Sequence, residues 1–188
     1  MSAANDTDKR TELLHRVVRY LEAYGIADLS LSPLATELGT SKRMLLYYFG
    51  SRENLIVEVL AASRPEVAGI FSDVTDEPSL RAAALDLWTA ITVGAQQRPI
   101  RILFQLLSLA ATQPDRYEAL AVDAVTVMVE PIAEVYQRLG ATRADARARA
   151  SLLVSGLRGL CQDRIVTGDS NRIDAAAHLL VDSATSLR

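Results

Sequence analysis

Residues 29–56 read LSLSPLATELGTSKRMLLYYFGSRENLI, and this stretch decides the fold of the N-terminal part of the chain. Its pattern predicts two short helices, at about 31–38 and 42–49, separated by a turn that contains Gly39. Glycine readily adopts the positive φ that such a turn requires. Two short helices joined by a three- or four-residue turn with a glycine are typical of a helix-turn-helix.

The apolar spacing indicates which faces of the two short helices point inward. Leu34, Ala35 and Leu38 share one face of the first helix, and Ala35 is small where the helices approach closely. Leu45 and Phe49, four residues apart, share one face of the second helix. We expect both faces to pack against a preceding helix that begins at about Lys9.

The side chains that remain on the second short helix project away from this core, and they are rich in positive charge. Residues 40–52 hold three basic side chains and no acid, whereas residues 1–55 as a whole hold seven of each sign. Positive charge focused on one face favours DNA binding. The alternative is an ordinary short helix with solvated basic residues and core tyrosines. The outward side chains are Lys42, Arg43, Met44, Tyr47 and Tyr48.

Over about residues 9–60 the chain resembles the N-terminal domain of TetR-family transcriptional regulators. The family pattern is approximately T-x-x-x-I-A-x-x-A-G-V-S-x-x-x-L-Y-x-Y-F-x-S-K-E-x-L. This resemblance implies base contacts by Lys42 and Arg43 at the start of the recognition helix. The positions in register are Leu34-Ala35, Leu38-Gly39, Ser41, Leu45, Tyr48-Phe49, Ser51-Arg52-Glu53 and Leu55.

The resemblance also implies phosphate contacts, by Tyr48 and Tyr47, by Arg52 where the family usually has a lysine, and by Ser32 as a weaker candidate. Met44 is counted among the DNA-contacting residues at a position usually held by a small polar residue. Two departures concern DNA binding directly: Arg43 replaces a frequent glycine or proline, and Leu46 replaces a tyrosine that commonly bonds phosphate. The operator sequence therefore cannot be taken from a relative.

Helical periodicity continues to the C-terminus, so we predict an all-α chain of about nine helices. We divide it into a helix-turn-helix domain at residues 1–50, a connecting helix at 51–64, and a C-terminal domain at 65–188. Residues 65–78 are the best candidate for a linker, and a further helix is predicted from Ser79 to Gln97. The resemblance implies that the C-terminal domain binds a ligand and that its last two helices form a homodimer.

Two sets of C-terminal residues are candidates for these roles. Small residues on the last two helices permit close contact with a partner chain, although packing within one chain also uses small residues. The dimer-interface candidates are Ala148, Leu152, Gly156, Gly159, Ala176 and Leu180. A nearly uniformly apolar helix at 100–112 suggests a pocket wall, with an apolar small molecule as its ligand. The pocket candidates are Trp88, Phe104, Gln105, Tyr117 and Met128.

The composition argues against several other classes of protein. The chain has one cysteine, Cys161, and two histidines, and no spacing typical of catalytic or metal-binding sets, so we expect no enzyme, no metal and no cofactor. No membrane span and no signal peptide are expected, which suggests the cytoplasm.

The helix-turn-helix pattern predicts a DNA-binding protein. The resemblance implies a homodimeric regulator, a repressor released from a palindromic operator in double-stranded DNA by an unknown small-molecule effector. The alternatives are an activator of the same fold and a helical protein that acts by protein contacts only.

Overall fold

The chain folds into helices throughout the residues that the computed structural model describes, 2–93 and 99–187. These residues form ten α-helices and no β-strand, so the all-α prediction is confirmed. The helices are α1 (Ser2–Tyr24), α2 (Leu31–Glu37), α3 (Lys42–Phe49), α4 (Arg52–Ser63), α5 (Val67–Ile70), α6 (Glu77–Thr92), α7 (Ile100–Thr112), α8 (Pro114–Arg138), α9 (Arg143–Thr167) and α10 (Ser170–Thr185).

Helix α1, the segment 65–78 and the start of α6 differ from the sequence prediction. Helix α1 begins at Ser2, about two turns before the predicted Lys9. The short helix α5 lies within the expected linker, where the Glu66 side chain caps it by accepting a bond from the N–H of Gly69 at 2.7 Å. Helix α6 begins at Glu77 because the Asp76 carboxylate accepts from the N–H of Ser79 at 2.9 Å. Residues 94–97, the last of the helix predicted from Ser79 to Gln97, lie outside the described residues.

The first compact unit comprises α1 to α4, α7, and α8 as far as Val122. Its core includes Val17 and Leu21 of α1, which are fully buried, and the inward faces of α2 and α3. Helices α1 and α4 pack together, and α7 packs against both. Gln105 and Arg52, whose side chains hydrogen-bond to the loop between α1 and α2, also belong to this unit.

The second compact unit comprises α5, α6, the remainder of α8 from Asp123, and α9 and α10. Helix α10 packs against α9 and α6, and Cys161 is buried as expected. Tyr136 of α8 is fully buried, and its hydroxyl donates to the carbonyl of Ala184 at 2.9 Å. Burial raises the pKa of Tyr136 to about 12, so it stays a neutral donor.

The two compact units and the predicted domains divide the chain differently in one respect. The division at residues 64 and 65 coincides with the predicted end of the connecting helix, but α7 and the start of α8 group with the N-terminal helices. The reason is packing and hydrogen bonding with α1, α4 and the loop between α1 and α2, which no periodicity in the sequence reports. No helix in the described ranges is both long and apolar enough to cross a bilayer.

Candidate nucleic-acid interface

Helix α3 is short, and the residues at its two ends define its length. The Ser41 hydroxyl accepts from the N–H of Met44 at 3.2 Å, which caps the first turn. Gly50 ends the helix with a φ of 74°. Leu45 and Phe49 are 1% and 2% exposed, so one face of α3 is held against the core and the other is presented outward.

The turn that precedes α3 depends on a conformation open to glycine. Gly39 has a φ of 58°, and no atom lies within 4 Å of where a Cβ would be, so the requirement is the backbone angle rather than space. The N–H of Thr40 donates to the carbonyl of Ala35 at 2.9 Å. From α1, the Arg16 guanidinium donates to the Leu38 carbonyl, a contact that the sequence did not indicate.

The outward face of α3 exposes its two basic side chains at the N-terminal end. Among the described residues, neither Lys42 nor Arg43 forms an ion pair. Met44 and Tyr47 are 37% and 66% exposed. The structure therefore places these four predicted DNA-contacting residues together on one accessible surface. Ser32, the weaker candidate, is exposed in the first turn of α2.

The two tyrosines of α3 make contacts that the sequence did not predict. The hydroxyls of Tyr48 and Tyr47 donate to the two carboxylate oxygens of Asp6, at 2.9 and 3.3 Å. The hydrogen bond to this carboxylate raises the pKa of Tyr48 above its usual 10.0. The contact exists because α1 extends back to Ser2; a helix beginning at Lys9 would not contain Asp6.

Arg10 joins three helices of the first unit beside this contact. Its guanidinium pairs with Glu58 of α4 at 2.5 Å and donates to the backbone carbonyl of Tyr48 at 3.3 Å. The same group lies 5.4 Å from the centroid of the Phe49 ring. Arg10 therefore holds α1 and α4 against the end of α3, and only its basic character was visible in the sequence.

The Arg52 side chain, for which the resemblance implies a phosphate contact, is bound within the protein. Its side chain is 11% exposed. Its three nitrogens donate to the carbonyls of Leu29 and Ile26, at 2.7 and 3.1 Å, and to the Tyr117 hydroxyl at 2.9 Å. Three of the five N–H donors of this guanidinium are therefore used within the protein.

Gln105 and Tyr117, two of the predicted pocket residues, also contact this part of the first unit. The Gln105 side-chain oxygen accepts from the N–H of Ile26 at 2.7 Å. Gly25 permits this approach, since a Cβ there would lie 2.5 Å from the same oxygen. Tyr117 is 1% exposed beneath Arg52, and Phe104 is half-buried. Gln105 binds the loop between α1 and α2 directly, and Tyr117 supports it through Arg52, which the spacing of these residues in the sequence could not reveal.

The other two pocket candidates belong to the second unit. Trp88 is 5% exposed, and its indole N–H donates to a carboxylate oxygen of Asp174 at 3.0 Å. Asp174 also accepts from Arg164, and this bond holds the pKa of Asp174 below its usual 3.8. Met128 is half-buried. A cleft of about 450 Å³ in this unit is lined by none of the five candidates, but by Glu77, Pro78, Arg81, Asp182, Thr185 and Ser186.

Some of the dimer-interface candidates pack within the chain, and others are exposed. A Cβ on Gly156 would lie 2.4 Å from a methyl of Leu180, so this glycine serves packing between α9 and α10 within the chain. Ala148 and Gly159 are exposed, Leu152 is 49% exposed, and Ala176 is half-buried. The exposed large apolar side chains of these helices also include Leu179 and Val166, at 72% and 77%.

Comparison with known proteins identifies the domain that carries this interface. Residues 13–59 match the family described as bacterial regulatory proteins, tetR family. The match falls within the segment of about 9–60 on which the resemblance was based, and that resemblance is confirmed. No curated protein matches the chain in sequence.

Solved structures share the fold across nearly the whole chain. A TetR transcriptional regulator from Legionella pneumophila is 19% identical, covers 89% of this chain and 95% of its own, and has a TM-score of 0.68. NalD, the secondary repressor of the MexAB-OprM multidrug efflux pump in Pseudomonas aeruginosa, is 18% identical over 95% of each chain, with a TM-score of 0.68. The multidrug binding protein EbrR complexed with proflavin is 19% identical, covers 92% and 98%, and has a TM-score of 0.60. At these identities the likeness establishes the fold.

Proposed function

The N-terminal domain of this chain is a TetR-family domain, and on that premise we propose that the protein is a sequence-specific DNA-binding transcriptional regulator. One observation carries the proposal: a capped recognition helix with a buried apolar face presents Lys42 and Arg43 at its N-terminal end, both exposed and neither in an ion pair with any residue that the structure describes. Arginine and lysine donate to the O6 and N7 atoms of guanine in the major groove. The tyrosine hydroxyls on the same surface are suited to phosphate oxygens.

A homodimer would match the surface of the last two helices. Leu152 and Leu179 expose large apolar side chains, and small residues such as Gly159 are exposed on the same two helices. Such a surface favours burial against a second copy. A two-fold dimer places its recognition helices about 34–36 Å apart, one helical turn of DNA, so the operator would be palindromic. Because such an operator would lie on a chromosome, we expect the protein to act in the cytoplasm.

We propose further that the protein is a repressor released by a small molecule. NalD is a repressor and EbrR was crystallised with proflavin, which supports both parts of this proposal by likeness of fold. Release requires that ligand and DNA prefer different conformations of the protein. A reporter assay with the operator upstream of a promoter distinguishes activation from repression.

The decisive experiment is selection of bound DNA from a random duplex library. We expect enrichment of a palindromic sequence, and no enrichment would overturn the regulator proposal. Arg43→Ala and Lys42→Ala should each weaken binding to the enriched duplex by about 1–3 kcal/mol and relax the preference at one base position. Arg19→Ala, which removes an exposed charge from α1, is the matched control and should preserve that preference.

A further inference from the structure

The N-terminal end of α1 places a carboxylate at the two tyrosine hydroxyls of the recognition helix. Asp6 lies 2.9 Å from the Tyr48 hydroxyl and 3.3 Å from that of Tyr47, with one carboxylate oxygen for each. The two rings meet edge to face with centroids 5.0 Å apart, so both hydroxyls converge on the same group. Asp6 thus occupies the donors that the proposed function assigns to DNA phosphate.

A carboxylate and a phosphate compete directly for these donors. A tyrosine hydroxyl has one proton and therefore donates to one strong acceptor at a time. Phosphate offers the same kind of anionic oxygen as Asp6 does. In addition, a negative charge on this surface repels the DNA backbone. The Asp6 contact and a tyrosine–phosphate contact consequently exclude one another at each hydroxyl.

We propose that Asp6 is an intramolecular competitor for the DNA phosphate and lowers the affinity of the protein for DNA. This inference rests on the proposed function. Arg10 limits the segment of α1 that has to move when DNA binds. Its bonds to Glu58 and to the Tyr48 carbonyl hold α1 one turn after Asp6. Only the side chain of Asp6, or the turn that contains it, has to leave the tyrosines.

The competition acts on affinity and leaves sequence preference unchanged. Phosphate contacts position a protein on DNA without reading its sequence. Removal of the Asp6 carboxylate should therefore raise the affinity for the selected operator and for a scrambled duplex of equal length by the same factor. A residue that reads bases would change the two affinities unequally.

The test compares Asp6→Ala with Asp8→Ala by fluorescence anisotropy on both duplexes. Asp8 is exposed two residues away on the same helix, so both variants remove one negative charge and introduce the same helix former. We expect Asp6→Ala to bind both duplexes about three- to tenfold more tightly, the effect of one or two hydrogen bonds. Asp8→Ala should gain less than about twofold, as expected for an exposed charge.

A second comparison isolates the tyrosine hydroxyls. In a chain that carries Tyr47→Phe and Tyr48→Phe, Asp6→Ala should gain no more than Asp8→Ala, because no hydroxyl remains to be released. Equal gains from the two alanine variants in the otherwise unchanged protein would overturn the inference, as would weaker binding by Asp6→Ala. If the unchanged protein binds the operator, either result leaves the proposed function intact; if no variant binds any duplex, both are overturned.

Discussion

The guanidinium of Arg52 donates to the hydroxyl of Tyr117 at 2.9 Å and lies 5.7 Å from the centre of its ring. Because Arg52 also binds the carbonyls of Ile26 and Leu29, it connects the start of α4 both to α8 and to the loop between α1 and α2. Gln105 of α7 binds the N–H of Ile26 in the same loop. Three helices outside the helix-turn-helix thus determine the position of the loop that leads into it.

Arg52→Ala should reduce the free energy of unfolding by about 2–3 kcal/mol, because two backbone carbonyls and the Tyr117 hydroxyl each lose one hydrogen bond in a mostly buried site. Arg52→Lys supplies one donor centre without the planar fork and should recover only part of the loss. Urea denaturation measures both.

The salt dependence of DNA binding separates this structural role from a phosphate contact. If Arg52 does not contact phosphate, the slope of log K against log salt should be the same for Arg52→Ala and the unchanged protein, measured where both are fully folded. A change of about 0.9 in the slope of Arg52→Ala would instead show that this side chain neutralises a phosphate.

Gly25→Ala should destabilise the first unit for two reasons. Its φ of 77° is unfavourable for alanine by about 1–2 kcal/mol, and its Cβ would lie 2.5 Å from the Gln105 side-chain oxygen. Gly168→Ala is the matched control, since its φ is 71° and no atom lies within 4 Å of the added Cβ. We expect the larger loss of stability for Gly25→Ala. Adding Gln105→Ala to the Gly25→Ala chain should recover the difference between the two losses. Equal losses at the two glycines would contradict the close approach of Gln105.

Gly156→Ala and Gly159→Ala should have opposite effects on the stability of α9. At Gly156 the added methyl would overlap Leu180, whereas at Gly159 nothing lies within 4 Å and alanine gains about 1 kcal/mol of helix propensity. Sedimentation then reports on the proposed dimer. If a partner chain packs on Gly159, the same variant weakens dimerisation; unchanged dimerisation would place that surface outside the interface.

Acidification should destabilise the contact between α6 and α10 through Asp174. The pKa of Asp174 is lowered by its bond to Arg164, so this carboxylate stabilises the fold above its usual 3.8 and the stabilisation is lost as pH falls through the lower, folded value. Asp174→Asn should reduce the free energy of unfolding near neutral pH and make its decline below pH 3.8 less steep. The fluorescence of Trp88, the one tryptophan of the chain, follows the transition. Asp86→Asn, an exposed carboxylate on α6, serves as the control.

The sequence alone determined the local architecture of the DNA-binding segment. The bounds of α3, its Ser41 cap, its two inward side chains and the positive φ of Gly39 all depend on residues within one or two turns of each other. Short-range sterics and apolar periodicity therefore suffice to predict them. The outward position of Lys42 and Arg43 follows from the same periodicity.

Only the tertiary structure decided which polar groups meet across long separations in the chain. Arg52 looks like a surface cation in the sequence, yet Tyr117, 65 residues later, and the carbonyls of a preceding loop bind its donors. Asp6 meets Tyr48 from 42 positions away. Such pairs depend on how helices pack, and hydrophobic periodicity specifies which face of a helix is buried but not which helix covers it.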